Sequence, residues 1–218
     1  MSEKMTPEDF AARANVSRET LERLQAFDAL LLETAAHTNL IARSTIDDRW
    51  LRHYLDSAQL FPLLPAGART LVDLGSGAGF PGLVLAALGA DEKAGHGLSV
   101  TLVESTGKKA SFLEAASSAM GLSNVTVLPQ RIEAVSVAPP DAITARALSV
   151  TRKLCAYVHG IAGRNTTLLF PKGAKAEEEL TAALKSWRMD VSRHPSLTDE
   201  NATIFEIKNL VPRGPAPR

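Results

Sequence analysis

The chain has 218 residues, of which 45% are hydrophobic and 22% charged, and its formal net charge is zero. This composition supports one folded domain with a modest extension, and the neutral charge is not that of a protein that holds nucleic acid by overall charge alone. Cys155 is the only cysteine, which excludes an intrachain disulfide and a cysteine metal cluster. The polar start of the chain and the lack of an apolar run of about 20 residues predict a cytoplasmic protein without a signal peptide or a membrane span.

The first 65 residues predict helices and no strand. Thr6, followed by Pro7 and two acidic residues, is typical of a helix N-terminus. Apolar residues recur at helical spacing over residues 17–37, and a second helix is expected at 46–61. We therefore expect a helical extension at residues 1–65.

The linker at residues 38–44 carries Asn39 and Arg43. It is open to two interpretations, a solvated turn between helices or a loop that faces a substrate. The sequence by itself favours the solvated turn.

From residue 69 onward strand and helix patterns alternate, which predicts a mostly parallel sheet covered on both faces. The predicted strands lie at 70–74, 99–104, 124–128, 141–145, 167–170, 189–194 and 202–208, the last two forming a hairpin. The predicted helices lie at 82–88, 108–120, 132–137, 150–159 and 176–187. We expect His96 at the surface of a polar loop at 91–97, and a loose proline-rich tail at 210–218.

A seven-stranded α/β sheet that ends in a hairpin matches the Rossmann-like fold of class I S-adenosylmethionine methyltransferases. We expect this domain to span residues 66–209. Its first strand leads into Gly75, Gly77 and Gly79, and alternating glycines let the backbone take positive φ and a ligand approach the main chain. A helix that begins after such a turn offers free N–H groups to a polar ligand, although tight β–α turns also need glycine for purely structural reasons.

Two ligand classes fit this turn. Residues 77–82 satisfy G-x-G-x-x-G, and Glu104 at the end of the second strand suits the ribose hydroxyls of a dinucleotide or of S-adenosylmethionine. A carboxylate at Asp73 would not help to bind a pyrophosphate, but it would attract the ammonium or the sulfonium of S-adenosylmethionine. The Glu133 carboxylate could accept a hydrogen bond from an adenine amino group. Alternatively, it is an acid at a helix N-terminus, where its charge interacts favourably with the helix dipole. Together the acids favour S-adenosylmethionine over NAD, and leave a non-enzymatic dinucleotide sensor as the alternative.

The absence of two motifs narrows the choice of methyl acceptor. The fourth strand ends at residues 144–147 without the Asn/Asp-Pro-Pro-aromatic motif of exocyclic-amine methylation, and Cys155 is expected in a core helix and not as a nucleophile. A ring nitrogen such as guanine N7 holds a free lone pair, so its methylation requires in-line positioning but no general base. Arg146 suits the S-adenosylmethionine carboxylate or a phosphate, or a structural salt bridge to Asp141 or Asp73.

At this point several motifs, in the same order, resemble those of the small-subunit rRNA guanine-N7 methyltransferases, the glucose-inhibited division protein B family. They cover about residues 20–208 and are Asn39-Leu40, Arg52-His53-Tyr54-Leu55-Asp56-Ser57, residues 73–82, Gly107-Lys108-Lys109, Arg131-Ile132-Glu133, Arg146-Ala147 and Lys172-Gly173. The chain departs mildly from the family pattern in Glu104, where many members have Asp, and in a longer loop at 91–97.

The resemblance implies transfer of a methyl group from S-adenosylmethionine to N7 of a guanine in the 530 loop of 16S rRNA, guanine 527 in the usual rRNA numbering. It implies a monomer that acts on 16S rRNA or a 30S particle, without a metal ion. By motif, the resemblance implies donor contacts at Gly75, Phe80, Glu104, Ile132, Glu133 and Arg146. Asp73, Gly77 and Gly79, selected from the residues themselves, complete the expected cofactor-binding set, with Arg146 the catalytic candidate. The RNA-binding residues would be Asn39, Arg43, Arg52, His53, Lys108, Lys109 and Lys172. A small-molecule methyltransferase with the same donor site is the alternative.

Basic residues are unevenly distributed along the chain. Residues 142–175 hold six of them and no acid, namely Arg146, Arg152, Lys153, Arg164, Lys172 and Lys175. With Arg43, Arg49, Arg52, Lys108 and Lys109, they are expected to form a phosphate-binding rim, the alternative being a solvated basic face.

Overall fold

The structure is a computed structural model that describes residues 4–90 and 97–214. His96 and most of the predicted loop at 91–97 lie outside the described residues, as do residues 215–218.

The described chain contains one seven-stranded sheet with the strand order β3-β2-β1-β4-β5-β7-β6. The strands are β1 Thr70–Leu74, β2 Ser99–Val103, β3 Val125–Leu128, β4 Ala142–Thr144, β5 Thr167–Lys172, β6 Trp187–Pro195 and β7 Thr203–Pro212. The first five strands are parallel, and β7 runs antiparallel to both β5 and β6. The predicted Rossmann-like methyltransferase architecture is therefore confirmed.

The sheet buries both of its faces, which explains the near-continuous apolar strands. Alternate residues of β1 enter different cores, with Leu71 in one and Val72 and Leu74 in the other. Helices α4 Gly82–Gly89 and α5 Gly107–Ala119 cover the first face, and α6 Thr151–His159 and α7 Ala176–Leu184 cover the second. Cys155 is fully buried in the second core, where burial raises the pKa of its thiol to about 12, so the expected core role is confirmed.

The N-terminal helices α1 Pro7–Ala14 and α2 Arg18–Ala35 pack onto the first face. Phe10 of α1 and Phe27 of α2 are fully buried in the same apolar cluster as Leu83 of α4. The helical extension therefore shares one continuous core with the sheet.

The helix predicted at 46–61 exists but is shorter, running without a break over residues 49–58, and its hydrogen bonding is not α-helical throughout, so the prediction is wrong in its bounds and helix type. This part of the chain contains a π-helical turn at Trp50–Leu55, the short helix α3 at Asp56–Ala58 and a 3₁₀ turn at Phe61–Leu63. The apolar pattern identified the buried face, which includes Trp50 and Tyr54, but such a pattern does not specify the hydrogen-bond spacing. π-Helical turns are rare and occur frequently at functional sites.

The end of the chain also differs from the prediction. Helix α7 ends at Leu184, and the fully buried Trp187 begins β6 instead of ending the helix. Trp187 pairs with Pro212, and Arg188 with Val211, so residues 210–212 belong to the sheet and not to the predicted tail. Pro212 lies beyond the part of β7 that pairs with β5, so it has a partner strand on one side only, as at a sheet edge, where proline is tolerated.

We expect Gly121→Ala to lower the free energy of unfolding by roughly 1–2 kcal/mol. Gly121 follows α5 with φ +61°, and the bonds from Gly121 N–H to the Ser118 carbonyl and from Leu122 N–H to the Ser117 carbonyl form a Schellman cap. An added Cβ there meets no atom within 4 Å, so the loss is backbone strain alone. Urea denaturation measures it.

Gly160→Ala is the matched control. Gly160 caps α6 with an ordinary φ of −78°, and an added Cβ also has open space. This variant is expected to be as stable as the parent or slightly more stable. Equal stability of the two variants would contradict the role of positive φ at Gly121.

Candidate functional site

A cleft of about 780 Å³ lies at the carboxyl ends of the parallel strands. Strand β1 has β2 on one side and β4 on the other, and the gap between the turns that follow β1 and β4 is the usual ligand position in such sheets. The cleft is also bordered by the segment at 40–45, the π-helical turn and the β6–β7 loop. Eight of the predicted site residues line it: Gly75, Gly77, Phe80, Arg146, Arg52, His53, Lys109 and Lys172.

The turn after β1 has the backbone that its glycines predict. Gly75, Gly77 and Gly79 all have positive φ, with values of 68°, 56° and 96°. The N–H of Gly75 and that of Ser76 both donate to the Val103 carbonyl, at 2.9 and 3.0 Å, which fixes the turn against β2. A side chain at Gly75 is disfavoured by its φ of +68°, and its Cβ would lie 2.6 Å from Leu148 Cδ1, so the leucine would have to move. Gly79 does not line the cleft.

Asp73 lies beneath this turn and is only 1% exposed. Its Oδ1 accepts a hydrogen bond of 2.7 Å from the Thr144 hydroxyl, whereas its Oδ2 is buried without a hydrogen-bond partner in the described chain. Burial raises the pKa of the Asp73 carboxyl to about 6, although the hydrogen bond from Thr144 and the positive charge of Arg146 oppose this rise. A carboxylate that is ionised at neutral pH and incompletely paired is thereby held behind the glycine turn.

Glu104 follows β2 and is turned toward the main chain. Its two carboxylate oxygens accept hydrogen bonds from Gly77 N–H at 3.0 Å and from Thr106 N–H at 2.7 Å. The side chain is buried and does not line the cleft. In this structure Glu104 braces the glycine turn, and its predicted contact with a ribose stays a prediction.

The two residues predicted to hold adenine lie farther along the same sheet edge. They belong to the 3₁₀ turn Ile132–Ala134, which follows β3. Ile132 packs against the second core, and Glu133 is exposed, with its Oε2 3.6 Å from the Nε of Arg131. Neither lines the cleft, so their predicted role stays a prediction.

Arg146 follows β4 and lines the cleft, where other side chains hold it in place. One guanidinium nitrogen donates to Asp56 Oδ2 and to the Arg52 carbonyl, both at 3.2 Å. The guanidinium carbon lies 5.3 Å from the centre of the Phe80 ring, within range of a cation–π contact. The salt bridge expected as the structural alternative exists, but its partner is Asp56 and not Asp141 or Asp73. Asp141 instead accepts hydrogen bonds from Arg69 and Thr70.

His53 is neutral and hydrogen-bonded on both ring nitrogens. Its Nδ1 lies 3.2 Å from a guanidinium nitrogen of Arg146, which can only donate, so we assign the proton to Nε2. That nitrogen lies 2.9 Å from the Thr45 hydroxyl. Burial, with the positive charges of Arg146 and Arg52, lowers the pKa of His53 to about 3. The imidazole also stacks on Phe80, with ring centres 5.1 Å apart.

The predicted basic rim is only partly available. Lys172 lies 2.7 Å from Glu179 Oε2 and also donates to the Ser149 carbonyl, and its side chain is just 9% exposed. Arg49 forms a half-buried ion pair with Asp28. Lys172 and Arg49 therefore each have a carboxylate partner already, and their predicted contact with phosphate stays a prediction. Of the remaining predicted cations, Arg43, Arg52, Lys108, Arg152, Lys153, Arg164 and Lys175 are exposed.

The linker at 38–44 does border the cleft, but not through the residues singled out from the sequence. Leu40, Ile41 and Ala42 line the cleft, whereas Asn39 and Arg43 point to solvent. The cleft also includes lining residues that sequence reasoning did not select: Thr45, Asp56, Leu148, Val150, Glu179, Thr198 and Asp199. Of these, Asp56 had a signal, since it belongs to the Arg-His-Tyr-Leu-Asp-Ser motif. The others come from segments without a recognisable pattern.

Other kinds of site receive no support within residues 4–90 and 97–214. No three His, Cys, Asp or Glu side chains in this part of the chain are grouped as a metal site. No helix within it has the length and apolar character needed to cross a membrane.

Solved structures with low sequence identity share the fold. Mitomycin 7-O-methyltransferase MmcR superposes with a TM-score of 0.60 at 14% identity, over 93% of this chain and 71% of that chain. A ribosomal protein L11 methylase from Lactobacillus delbrueckii subsp. bulgaricus gives a TM-score of 0.56 at 15% identity, over 70% of this chain and 76% of that chain. These likenesses show a methyltransferase fold.

Sequence relatives are much closer. A protein of Rhodospirillum centenum named ribosomal RNA small subunit methyltransferase G is 48% identical over 206 residues, covering 94% of this chain and 92% of its own. One of the same name from Paramagnetospirillum magneticum is 45% identical, covering 94% and 97%. Residues 20–205 match the family model GidB, described as rRNA small subunit methyltransferase G. The chain therefore belongs to the GidB family of rRNA small subunit methyltransferase G.

Proposed function

We propose that this protein transfers a methyl group from S-adenosylmethionine to N7 of guanine 527 in the 530 loop of 16S rRNA. Membership of the family makes the chain an rRNA methyltransferase. The target atom, the target nucleotide and action as a cytoplasmic monomer on 16S rRNA or a 30S particle belong to the proposal. The observation that carries the choice of atom is the state of the titratable side chains around the cleft.

The donor side of the cleft fits S-adenosylmethionine. Asp73 Oδ2 is a buried oxygen without a partner behind the glycine turn, and its negative charge favours a ligand that carries an ammonium and a sulfonium. Gly75 and Gly77 line the cleft with no side chain in the way of a ligand. When bound, S-adenosylmethionine supplies an electrophilic methyl group on a positively charged sulfur.

The residues of the chain then have positioning roles. Arg146 suits the carboxylate of the donor or a phosphate of the RNA, because its guanidinium reaches the cleft with an orientation set by Asp56 and Phe80. His53 stays neutral and supports Phe80 through its ring stack and Arg146 through its hydrogen bond. Holding the reacting atoms in line is the main contribution that such a transfer requires.

The less exposed acids and the histidine of the described cleft are engaged in hydrogen bonds, whereas the exposed Asp199 uses only its Oδ1. Asp56 accepts from Arg146 and Thr198, Glu179 accepts from Lys172, and Asp199 accepts from the Asn201 N–H. His53 is hydrogen-bonded on both sides and has a pKa of about 3. This favours an acceptor such as guanine N7, which has a lone pair and no proton to remove.

Deleting the gene is expected to remove one 7-methylguanosine from 16S rRNA. Nucleosides from purified 16S rRNA of the deletion strain, separated by reverse-phase chromatography with mass detection, measure the change. Restoring the gene should restore the nucleoside. Unchanged 7-methylguanosine would contradict the proposal, and activity on free guanine nucleotides but not on ribosomal particles would favour the small-molecule alternative.

Asp73→Asn is expected to separate folding from donor binding. The native pKa of about 6 lies above the usual 3.8, so the wild type loses stability as pH rises through about 6. The variant lacks this loss, so its free energy of unfolding relative to wild type should rise by roughly 2 kcal/mol between pH 4.5 and pH 7.5. Urea denaturation at both pH values measures it.

The same variant should bind S-adenosylmethionine several-fold more weakly than wild type at pH 7.5, as measured by calorimetry. Near pH 5 the two proteins should bind it equally, because Asp73 is then protonated in the wild type. A variant that gains stability at pH 7.5 and keeps full donor affinity would show that Asp73 has no role in donor binding.

Lys109→Gln is expected to lower kcat/KM for the RNA substrate several-fold, since Lys109 lines the cleft beside the glycine turn. The slope of log kcat/KM against log salt concentration should fall in magnitude by about one, the value for one lost phosphate contact. Lys185→Gln is the control, because Lys185 is exposed at the end of α7 and makes the same charge change away from the cleft. Rates of methyl transfer by wild type and both variants, measured from about 50 to about 200 mM salt, test this expectation. Equal effects of the two changes would mean that only overall charge counts.

A further inference from the structure

The largest apolar side chains exposed in the described residues are concentrated at the cleft. They are Leu197 at 62% exposure, Val150 at 53% and Val211 at 37%. Val150 lines the cleft, and Leu197 directly precedes Thr198, which also lines it. Val211 lies at the opposite end of the β6–β7 hairpin, where it pairs with Arg188. Leu197 and Val150 therefore both lie at or next to the cleft, whereas Val211 does not.

Leu197 is displayed on an anchored loop. Its N–H donates to Gln59 Oε1 at 2.8 Å, and the neighbouring Thr198 hydroxyl donates to Asp56 Oδ1 at 2.8 Å. The Ser196 hydroxyl accepts a hydrogen bond from Gln59 Nε2 at 3.3 Å. The main chain is thus tied to the segment that carries His53, while the leucine side chain is left in solvent. Such a fixed, exposed apolar group is suited to contact another molecule.

The charges around these side chains favour RNA bases as the contact. Val150 is followed in α6 by the exposed Arg152 and Lys153, which suit phosphates. Leu197 is followed by Asp199 and the exposed Glu200, which repel phosphates and direct the contact toward a base. Leucine is among the apolar residues that proteins insert between nucleic acid bases, and chemistry on a stacked base generally requires its extrusion.

We propose that Leu197 is an apolar wedge that packs against an unstacked base of the rRNA beside the target guanine, with Val150 as the second apolar contact at the cleft mouth. This inference rests on the proposed function, since it takes rRNA as the molecule that enters the cleft. Leu197 holds the neighbouring base away from the guanine, so that the guanine can occupy the cleft.

A photo-crosslink tests the contact without requiring catalysis. Leu197 is replaced by the photoreactive p-benzoylphenylalanine, the protein is irradiated with 30S subunits from a strain that lacks the enzyme, and the adduct is digested and sequenced. A crosslink to rRNA beside the guanine is expected. A crosslink to a ribosomal protein, or none above that of a Val211 replacement, would overturn the proposal.

Kinetics test the chemical character of the contact. Leu197→Ser is expected to lower kcat/KM for the RNA about tenfold, the size of one lost base contact, with donor affinity unchanged. Leu197→Phe should retain activity, because an aromatic ring also stacks on a base, and Val211→Ser should equal wild type. Wild-type rates for Leu197→Ser, or equal losses for Ser and Phe, would refute the wedge. Failure of the wild type itself to methylate rRNA would instead refute the proposed function, while the crosslink still judges the contact.

Discussion

The ion pair between Arg146 and Asp56 is the contact on which the arrangement of the cleft depends. Arg146 follows strand β4, whereas Asp56 begins the short helix α3 in the N-terminal part of the chain. The second oxygen of Asp56 accepts a hydrogen bond from Thr198 in the β6–β7 loop. One carboxylate thus joins three segments that are distant in sequence. Since desolvation offsets much of the attraction in a buried ion pair, we attribute to it a defined geometry more than added stability.

The glycine turn beside this ion pair is held from two sides by acids with different tasks. Glu104 accepts hydrogen bonds from the main chain of the turn, so its charge is compensated within the protein. Asp73 has one oxygen paired with Thr144 and the other unpaired, and its pKa is raised to about 6 as a result of burial. An incompletely compensated charge is costly in a folded core, and such features concentrate at functional sites. Glu104 is therefore a structural acid, whereas Asp73 is suited to a positively charged ligand.

Much of the architecture could be predicted because the local sequence patterns agree with the burial and the turns that the sheet requires. Apolar residues such as Leu71, Val72 and Leu74 predict a buried strand, and Gly121 predicts the end of α5, where the structure gives it a positive φ. The segment at 46–61 could not be predicted in detail, because its apolar spacing is compatible with α and π hydrogen bonding. The extension of β7 to Pro212 depends on the partner strand β6, which a local pattern does not contain.

The site divides in the same way between what the sequence determined and what the tertiary structure decided. The sequence by itself determined the glycine turn, the acids Asp73 and Glu104 around it, and the resemblance to the rRNA methyltransferase family. It could not determine which charged side chains face a ligand, because that depends on their partners. Only the fold shows that Lys172 is neutralised by Glu179, that Arg146 is held by Asp56, and that Leu197 stands in solvent beside the cleft. The physical reason is that the conformation of a glycine turn follows largely from local sequence, whereas pairing and burial require residues that meet only when the chain has folded.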